Sequence, residues 1–200
     1  MKTTRRSYHH GDLRDALLRA GERALETGGI QALSLRELGR ELGVSHTAFR
    51  RHFVDKQALL DALAVEGFEK LGTALTRAVG DREQHFDARL IKLARAYVRF
   101  AMKHPALMGL MFSAKHQADA HPELIEASER AFTVGPLIVS EGQATGAVVE
   151  GDPGRLALAA SAAVEGLVAI STNGAFKGVP LDRLVVEVVE RIILGLRPRP

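Results

Sequence analysis

The chain has 200 residues and a formal net charge of +3. Its length suits one large or two small soluble domains, and its hydrophobic content of 46% is enough for a sizeable core. It has no cysteine, which excludes disulfides and thiolate metal sites and gives no sign of an oxidising compartment. Basic residues open the sequence without an apolar stretch behind them, so we predict no secretory signal and expect a cytoplasmic protein.

The first predicted helix runs from Asp12 to about Thr27, where apolar residues recur every three or four positions. Gly28 and Gly29 are expected to end it. Ahead of it, residues 2–7 are polar and basic. They could form an arm that follows a nucleic-acid backbone, or simply a disordered terminus.

Two short helices and a tight turn are predicted next, in residues 33–60. Ser34 can cap the first of them through its hydroxyl, and Glu37 can reach back to the N–H of Ser34, as in a capping box. Gly43 suits a sharp turn, after which Ser45 can cap a second helix from about His46 to Phe53.

This pair of helices has one apolar and one polar side. The apolar seam is expected to consist of Leu38, Leu42, Val44, Phe49 and Phe53. The polar side of the second helix, called here the recognition face, consists of His46, Thr47, Arg50 and Arg51. Their donors could reach phosphates or base edges in a major groove, so we predict a helix-turn-helix that binds double-stranded DNA.

The charge distribution fits this interpretation. Residues 1–56 hold eleven Lys or Arg and seven acids, a net of +4, whereas the remaining residues sum to −1. A polyanion partner favours such a concentration of positive charge, although so small an asymmetry also occurs in proteins with no such partner.

The rest of the chain is predicted to be helical, without strands. The expected segments are Lys56 to about Val79, Gln84–Lys103, a short one from Pro105, Pro122 to about Gln143, Pro153 to about Ser171, and Pro180 to about Leu196. Gly135-Pro136 should kink or interrupt the fourth of these segments. We therefore expect an all-α fold of about nine helices. Residues 1–55 would be the DNA-binding domain and 56–200 a ligand-binding and dimerisation domain.

The last two helices offer more apolar surface than one subunit needs. Two copies could form a four-helix bundle across a two-fold axis. The residues expected in that interface are Leu156, Ala160, Leu167, Leu181, Leu184, Val188 and Ile192. Alternatively, both helices only close the core of the monomer. The apolar run at residues 156–170 contains Glu165 and is too short to span a bilayer, so we expect no membrane partner.

Three stretches resemble the tetracycline-repressor (TetR) family of bacterial transcriptional regulators: YHHGDLRDALLRA at 8–20, ALSLRELGRELGVS at 32–45 and RHFVDKQALLDAL at 51–63. HPALMGLMF also resembles the start of one C-terminal class of that family. The resemblance implies a DNA-reading unit in helices two and three, a ligand-binding core and dimerisation through the last two helices. That class often has Trp and His where this chain has Ser161 and Glu165.

The resemblance also implies individual DNA contacts. They fall on Ser34, Arg36, Ser45, His46, Thr47, Arg50, Arg51, His52 and, at the start of the fourth helix, Lys56. The family usually has a tyrosine where this chain has Arg50. A guanidinium can take guanine O6 and N7 with two hydrogen bonds, so we expect Arg50 to bind DNA more strongly than the usual tyrosine.

A small-molecule pocket is the remaining candidate site. It could be lined by Phe68, Tyr97, Phe100, Met108, Met111, Phe112, His116, Phe132 and Glu165, although each of the apolar residues could equally be ordinary core. Glu165 could anchor a cationic or hydroxylated ligand, or lie satisfied at the dimer seam. The histidine spacing fits no metal site, no catalytic motif is present, and we expect no metal, no cofactor and no enzymatic activity.

The sequence thus predicts a homodimeric repressor that binds a palindromic DNA operator and is released by an unknown small-molecule effector. Two alternatives stay open at this point. One is a DNA-binding regulator without a small ligand. The other is a small helical enzyme or ligand carrier that uses the helix-turn-helix structurally.

Overall fold

The computed structural model describes residues 10–80, 85–172 and 178–198, and its regular secondary structure in these ranges is entirely α-helical. This confirms the all-α fold. The helices are α1 (His10–Ala32), α2 (Leu35–Glu41), α3 (His46–Arg50), α4 (Lys56–Val79), α5 (Phe86–Lys103), α6 (Pro105–Lys115), α7 (Pro122–Phe132), α8 (Val134–Ala144), α9 (Pro153–Thr172) and α10 (Leu181–Leu196). The basic segment at residues 2–7 lies outside the described residues.

Glycine interrupts α1 where the sequence predicted its end. Gly28 (φ −143°, ψ 16°) and Gly29 (φ 69°, ψ −171°) leave the helical region, and a short helical turn follows to Ala32. A positive φ costs glycine little because it has no Cβ. The predicted helix end is therefore a sharp kink between two helical pieces.

One predicted boundary was wrong, and one predicted helix is interrupted as expected. The second helix of the helix-turn-helix ends at Arg50 instead of Phe53, with a turn at residues 51–52. The segment from Pro122 to Gln143 is interrupted as expected: α7 and α8 are separate helices, divided at Thr133, just before the Gly-Pro pair. The proline cannot donate an N–H to the preceding turn, so it lies in the first turn of the new helix, where none is needed.

The chain folds into two compact units. The first comprises Met1–Gly67, of which residues 10–67 are described, and Pro105–Ile125; the second comprises Phe68–His104 and Glu126–Pro200. α4 is thus shared between them, and α6 belongs with the N-terminal helices. The predicted division into a DNA-binding domain, residues 1–55, and a ligand-binding and dimerisation domain, residues 56–200, is based on function and stays a prediction.

In the second unit, α10 packs antiparallel to α5. Arg95 pairs with Asp182 at 2.6 Å near one end, and Arg197 pairs with Asp87 at 2.8 Å near the other. Between these ion pairs the inner face of α10 is buried, with Val185 and Val189 each 1% exposed. Hydrophobic burial therefore supplies most of the stabilisation here, because exposed ion pairs contribute little.

Helix α9 is longer than the apolar run seen in the sequence. It has 20 residues and reaches the length and mean hydropathy of a membrane span. One such helix is weak evidence for a membrane, and α9 also packs against α8 and α10.

Candidate functional site

The helix-turn-helix begins with two serine caps. The Ser34 Oγ accepts a hydrogen bond from the Glu37 N–H at 3.4 Å, and the Ser45 Oγ accepts one from the Ala48 N–H at 3.2 Å. The reverse bond of the predicted capping box, from the Ser34 N–H to the exposed Glu37 carboxylate, is not formed between these described residues. Both caps satisfy N–H groups that a helix start leaves without partners.

The turn between the two helices is compact. Gly43 adopts a φ of 65°, and the Val44 N–H donates to the Gly39 carbonyl at 2.9 Å. A side chain at residue 43 would strain this left-handed conformation. The glycine therefore sets the angle at which α3 leaves α2.

The apolar seam fixes the orientation of α3. Phe49 is 0% exposed, Phe53 2% and Leu38 3%, and the two phenylalanine rings lie 5.9 Å apart. Leu42 and Val44, also predicted in the seam, are half-buried. With Phe49 inward, the opposite side of α3 must face solvent.

The residues of the recognition face, His46, Thr47, Arg50 and Arg51, are all exposed. Arg36 and Ser45 are exposed as well, whereas Ser34 and His52 are half-buried. The helix-turn-helix thus presents several exposed donors on one surface, as phosphate or base contact requires.

Lys56 has a structural partner that the sequence did not suggest. Its Nζ donates to the Ile30 carbonyl at 2.7 Å, which joins the start of α4 to the residue that follows the α1 kink. An ammonium has three donors, so this bond leaves capacity for a phosphate.

Arg14 was missed by the sequence reasoning. Its Cζ lies 5.6 Å from the centroid of the Phe53 ring, in cation–π geometry. The two residues are far apart in sequence, and helical periodicity carries no signal for such a contact.

A second missed residue, Glu26, joins α1 to α6. Its two carboxylate oxygens accept hydrogen bonds from the N–H groups of Ala106, at 3.2 Å, and Leu107, at 3.0 Å. These are N–H groups of the first turn of α6, which have no partner within the helix. Glu26 therefore caps α6 from another helix.

Four of the predicted pocket residues form one cluster in the second unit. The ring centroids of Phe68 and Phe132 lie 6.3 Å apart, those of Tyr97 and Phe132 lie 6.4 Å apart, and the Tyr97 hydroxyl donates to the Glu165 carboxylate. Burial, together with this hydrogen bond and the negative charge of Glu165, raises the pKa of Tyr97. Glu165 thus faces α5.

The remaining pocket candidates lie elsewhere. Phe100, also in the second unit, is buried and its ring lies 5.0 Å from that of His104. In the first unit, Met108 and Met111 are buried, Phe112 is half-buried, and His116 is exposed. The His116 Nδ1 lies 2.6 Å from the Phe112 carbonyl, so this ring, one residue beyond α6, is bonded to the last turn of that helix.

An open groove lies between α4 and α7, with a volume of 510 Å³. Among its lining residues, Phe68, Ala127 and Ala131 are buried, and Arg77 and Arg130 are exposed. Of the predicted pocket residues only Phe68 lines it. Within the described ranges, no group of three or more His, Asp or Glu side chains could hold a metal ion.

The residues predicted for dimerisation differ in accessibility. Ala160 and Leu167 are buried within the subunit, 8% and 5% exposed, so their side chains face its own core. The other five, Leu156, Leu181, Leu184, Val188 and Ile192, are half-buried. The strongly exposed apolar side chains of these helices were missed by the sequence reasoning: Leu158 (68%), Ile170 (45%) and Leu194 (68%).

The capped helix pair with its exposed cationic face places the chain among the helix-turn-helix proteins. Two family models match the chain: "Bacterial regulatory proteins, tetR family" over residues 17–63, and "Tetracyclin repressor-like, C-terminal domain" over residues 90–196. The second match alone spans more than half of the sequence. The chain therefore belongs to the tetracycline-repressor family of bacterial transcriptional regulators.

Individual relatives share the fold of this chain or part of its sequence. A protein of unknown function from Rhodococcus sp. RHA1 is 43% identical, with a TM-score of 0.91 over 97% of this chain and 100% of that chain. The regulator PfmR from Thermus thermophilus shares the fold at 18% identity, with a TM-score of 0.68 over 91% of this chain and 99% of that one. The regulator YobS from Bacillus subtilis is 27% identical over 58% of this chain, and the match spans 59% of its own length.

Proposed function

We propose that the protein is a DNA-binding transcriptional repressor that acts in the cytoplasm as a homodimer on a palindromic operator and is released by a small-molecule effector. The observation that carries this proposal is the recognition face, which is exposed while Phe49, on the other side of the same short helix, is completely buried. Membership of a family of regulators favours this role over an enzymatic one.

DNA contact falls in two classes by chemistry. Arg50 and Arg51 can bind phosphates or guanine, whereas Thr47 offers a neutral hydroxyl and a methyl group that suit a base edge. Ser34 and Arg36, at the start of α2, are proposed to contact the flanking phosphates. Two such units related by a two-fold axis require half-sites about one helical turn apart.

Selection from a random-sequence duplex library tests this part directly. The enriched sites are expected to be palindromic, and affinity for them should fall steeply with salt because several phosphates are neutralised. Enrichment of no sequence, or a flat salt dependence, contradicts the proposal.

The dimer interface is proposed on the outer side of α9 and α10. Support comes from the exposed side chains of Leu158, Ile170 and Leu194, three large apolar residues on two helices that pack against each other. Leu184, Val188 and Ile192 are half-buried and could complete the contact on closer approach.

Sedimentation of the Leu158→Glu, Leu194→Glu double variant tests the interface. We expect it to be a monomer, whereas the control Met102→Glu, which changes an exposed apolar residue of α5, should stay dimeric. A monomeric wild type, or a double variant that stays dimeric, contradicts the interface.

The effector site is proposed around Tyr97, Phe132 and Glu165. Its support is a half-buried carboxylate with a neutral hydroxyl donor beside a cluster of aromatic rings, which offers both polar selectivity and apolar contact. An effector would act only by binding the DNA-bound and released conformers with different affinity.

A thermal-shift screen with small molecules, followed by competition against operator DNA, tests the response. Glu165→Gln removes the charge but keeps an acceptor for Tyr97, so it should change effector affinity without dissociating the dimer. The matched control is Glu129→Gln, on an exposed position of α7. If no compound in the screen stabilises the protein, the result would favour a DNA-binding regulator without a small ligand.

A further inference from the structure

Arg14 occupies an unusual position beside the helix-turn-helix. It lies on α1, ahead of residues 17–63 that the family model matches. Its Cζ lies 5.6 Å from the centroid of the Phe53 ring, in cation–π geometry. Phe53 is 2% exposed, whereas the arginine side chain is exposed. It forms no ion pair and no hydrogen bond with the residues that the structure describes.

A cation–π contact restrains a guanidinium without using its N–H groups, because the attraction is between the positive charge and the electrons of the ring face. Arg14 therefore holds several free donors in a restricted orientation. Less side-chain entropy is lost when such a group binds an anion than when a freely rotating arginine does.

The contact with Phe53 also places the charge of Arg14 close to α3. Phe53 lies three residues after Arg50 and contacts Phe49 within the apolar seam. The acid nearest to Phe53 in sequence, Asp55, accepts a hydrogen bond from the Ala58 N–H at 2.8 Å and so caps α4. Arg14 thus adds positive charge near the end of the recognition face. A bound polyanion would reduce the repulsion between Arg14 and the arginines of that face.

We propose that Arg14 contacts a DNA phosphate next to the recognition helix and is held for that contact by the Phe53 ring. The inference rests on the proposed DNA-binding function and adds a residue from α1 to the contact set. Phosphate contact is the chemistry that fits best, because Arg14 lies on α1, whereas the side chains expected to read base edges lie on α3.

The test is the salt dependence of binding to a fluorescein-labelled, mixed-sequence duplex, measured by anisotropy between about 50 and 200 mM KCl. Two variants remove the charge: Arg14→Gln, and Arg14→Met, whose unbranched apolar side chain still covers Phe53. Arg14→Lys keeps the charge. The matched control is Arg19→Gln, which removes the same charge from another exposed position of α1.

The slope of log K against log salt is negative, and both charge-removing variants should reduce its magnitude by about 0.9 for each bound chain, the value for one lost phosphate contact. Arg14→Lys and Arg19→Gln should keep the wild-type slope. Thermal unfolding by circular dichroism identifies any variant that fails to fold, and Arg14→Met then carries the test.

Two results would overturn the inference: a wild-type slope in folded Arg14→Met, or an equal loss of slope in Arg19→Gln, which would show that any charge on α1 has this effect. A wild-type chain that fails to bind the duplex would instead overturn the proposed function itself.

Discussion

The cap that Glu26 provides for α6 makes a sharp prediction. Glu26→Ala removes both acceptors of the Ala106 and Leu107 N–H groups, whose bonds measure 3.2 and 3.0 Å. Losing a helix cap costs about 1 kcal/mol, and losing a carboxylate at a helix N-terminus costs about 0.3–1 kcal/mol more. Glu26 is half-buried, so solvent screens it only in part.

We therefore expect Glu26→Ala to lower the free energy of unfolding by roughly 1.5–2 kcal/mol and the Tm by about 3–8 °C. Glu26→Gln keeps one acceptor oxygen without the charge and should lose about half as much. The control Glu129→Ala, at an exposed position of α7, should stay within about 0.5 kcal/mol of wild type.

The assay combines urea denaturation with amide hydrogen exchange. In Glu26→Ala the amides of Ala106 and Leu107 should exchange faster, because their hydrogen bonds are gone, while amides in α10 should be unchanged. A loss of stability below about 0.5 kcal/mol with unchanged exchange at these two amides would refute the capping role.

Three further predictions concern other regions. Arg50→Ala should weaken operator binding by about 1–3 kcal/mol, and selection with the variant would show relaxed choice at one base pair if Arg50 reads guanine, or uniform weakening if it binds phosphate. Tyr97→Phe should cost about 1 kcal/mol in urea denaturation near neutral pH. The pKa of Tyr97 is raised in the native state, so the stability that its hydroxyl contributes is complete below the tyrosine pKa of the unfolded chain, about 10, and is lost as the pH rises above it. The free energies of unfolding of the wild type and Tyr97→Phe should therefore converge in alkaline buffer. Gly72→Ala should destabilise by about 1–3 kcal/mol, because the new Cβ would lie 3.0 Å from the Ala131 Cα, whereas Gly109→Ala, with open space around it, should stabilise α6 by up to about 1 kcal/mol.

Local sequence signals predicted the helices well. Helix α4 begins and ends where predicted because Asp55 caps its start and Gly80, with a φ of 61°, follows its end. The helix-turn-helix was equally predictable, since two capping serines and a turn glycine act within a few residues of one another. Interactions over such short distances leave a readable pattern in the chain.

Contacts between distant residues were not predictable in the same way. Glu165 lies 68 positions from Tyr97, and periodicity could not decide whether it faces a partner subunit or its own core. The same limit explains why Ala160 and Leu167, which are buried within the subunit, were predicted to lie in the dimer interface. Helix α9 is apolar almost all round, so the sequence pattern does not show which side is turned inward. The contacts of Glu26 and Arg14 likewise depend on how whole helices pack.

The bond between Tyr97 and Glu165 also gives the protein an intrinsic optical reporter. The chain has no tryptophan and two tyrosines, of which Tyr8 lies outside the described residues. An excited phenol is a much stronger acid than a ground-state one, so a carboxylate hydrogen-bonded to it can take its proton and quench or redshift its fluorescence. Any molecule that separates Tyr97 from Glu165 should therefore brighten the ordinary tyrosine emission, which would allow effectors to be screened without a label.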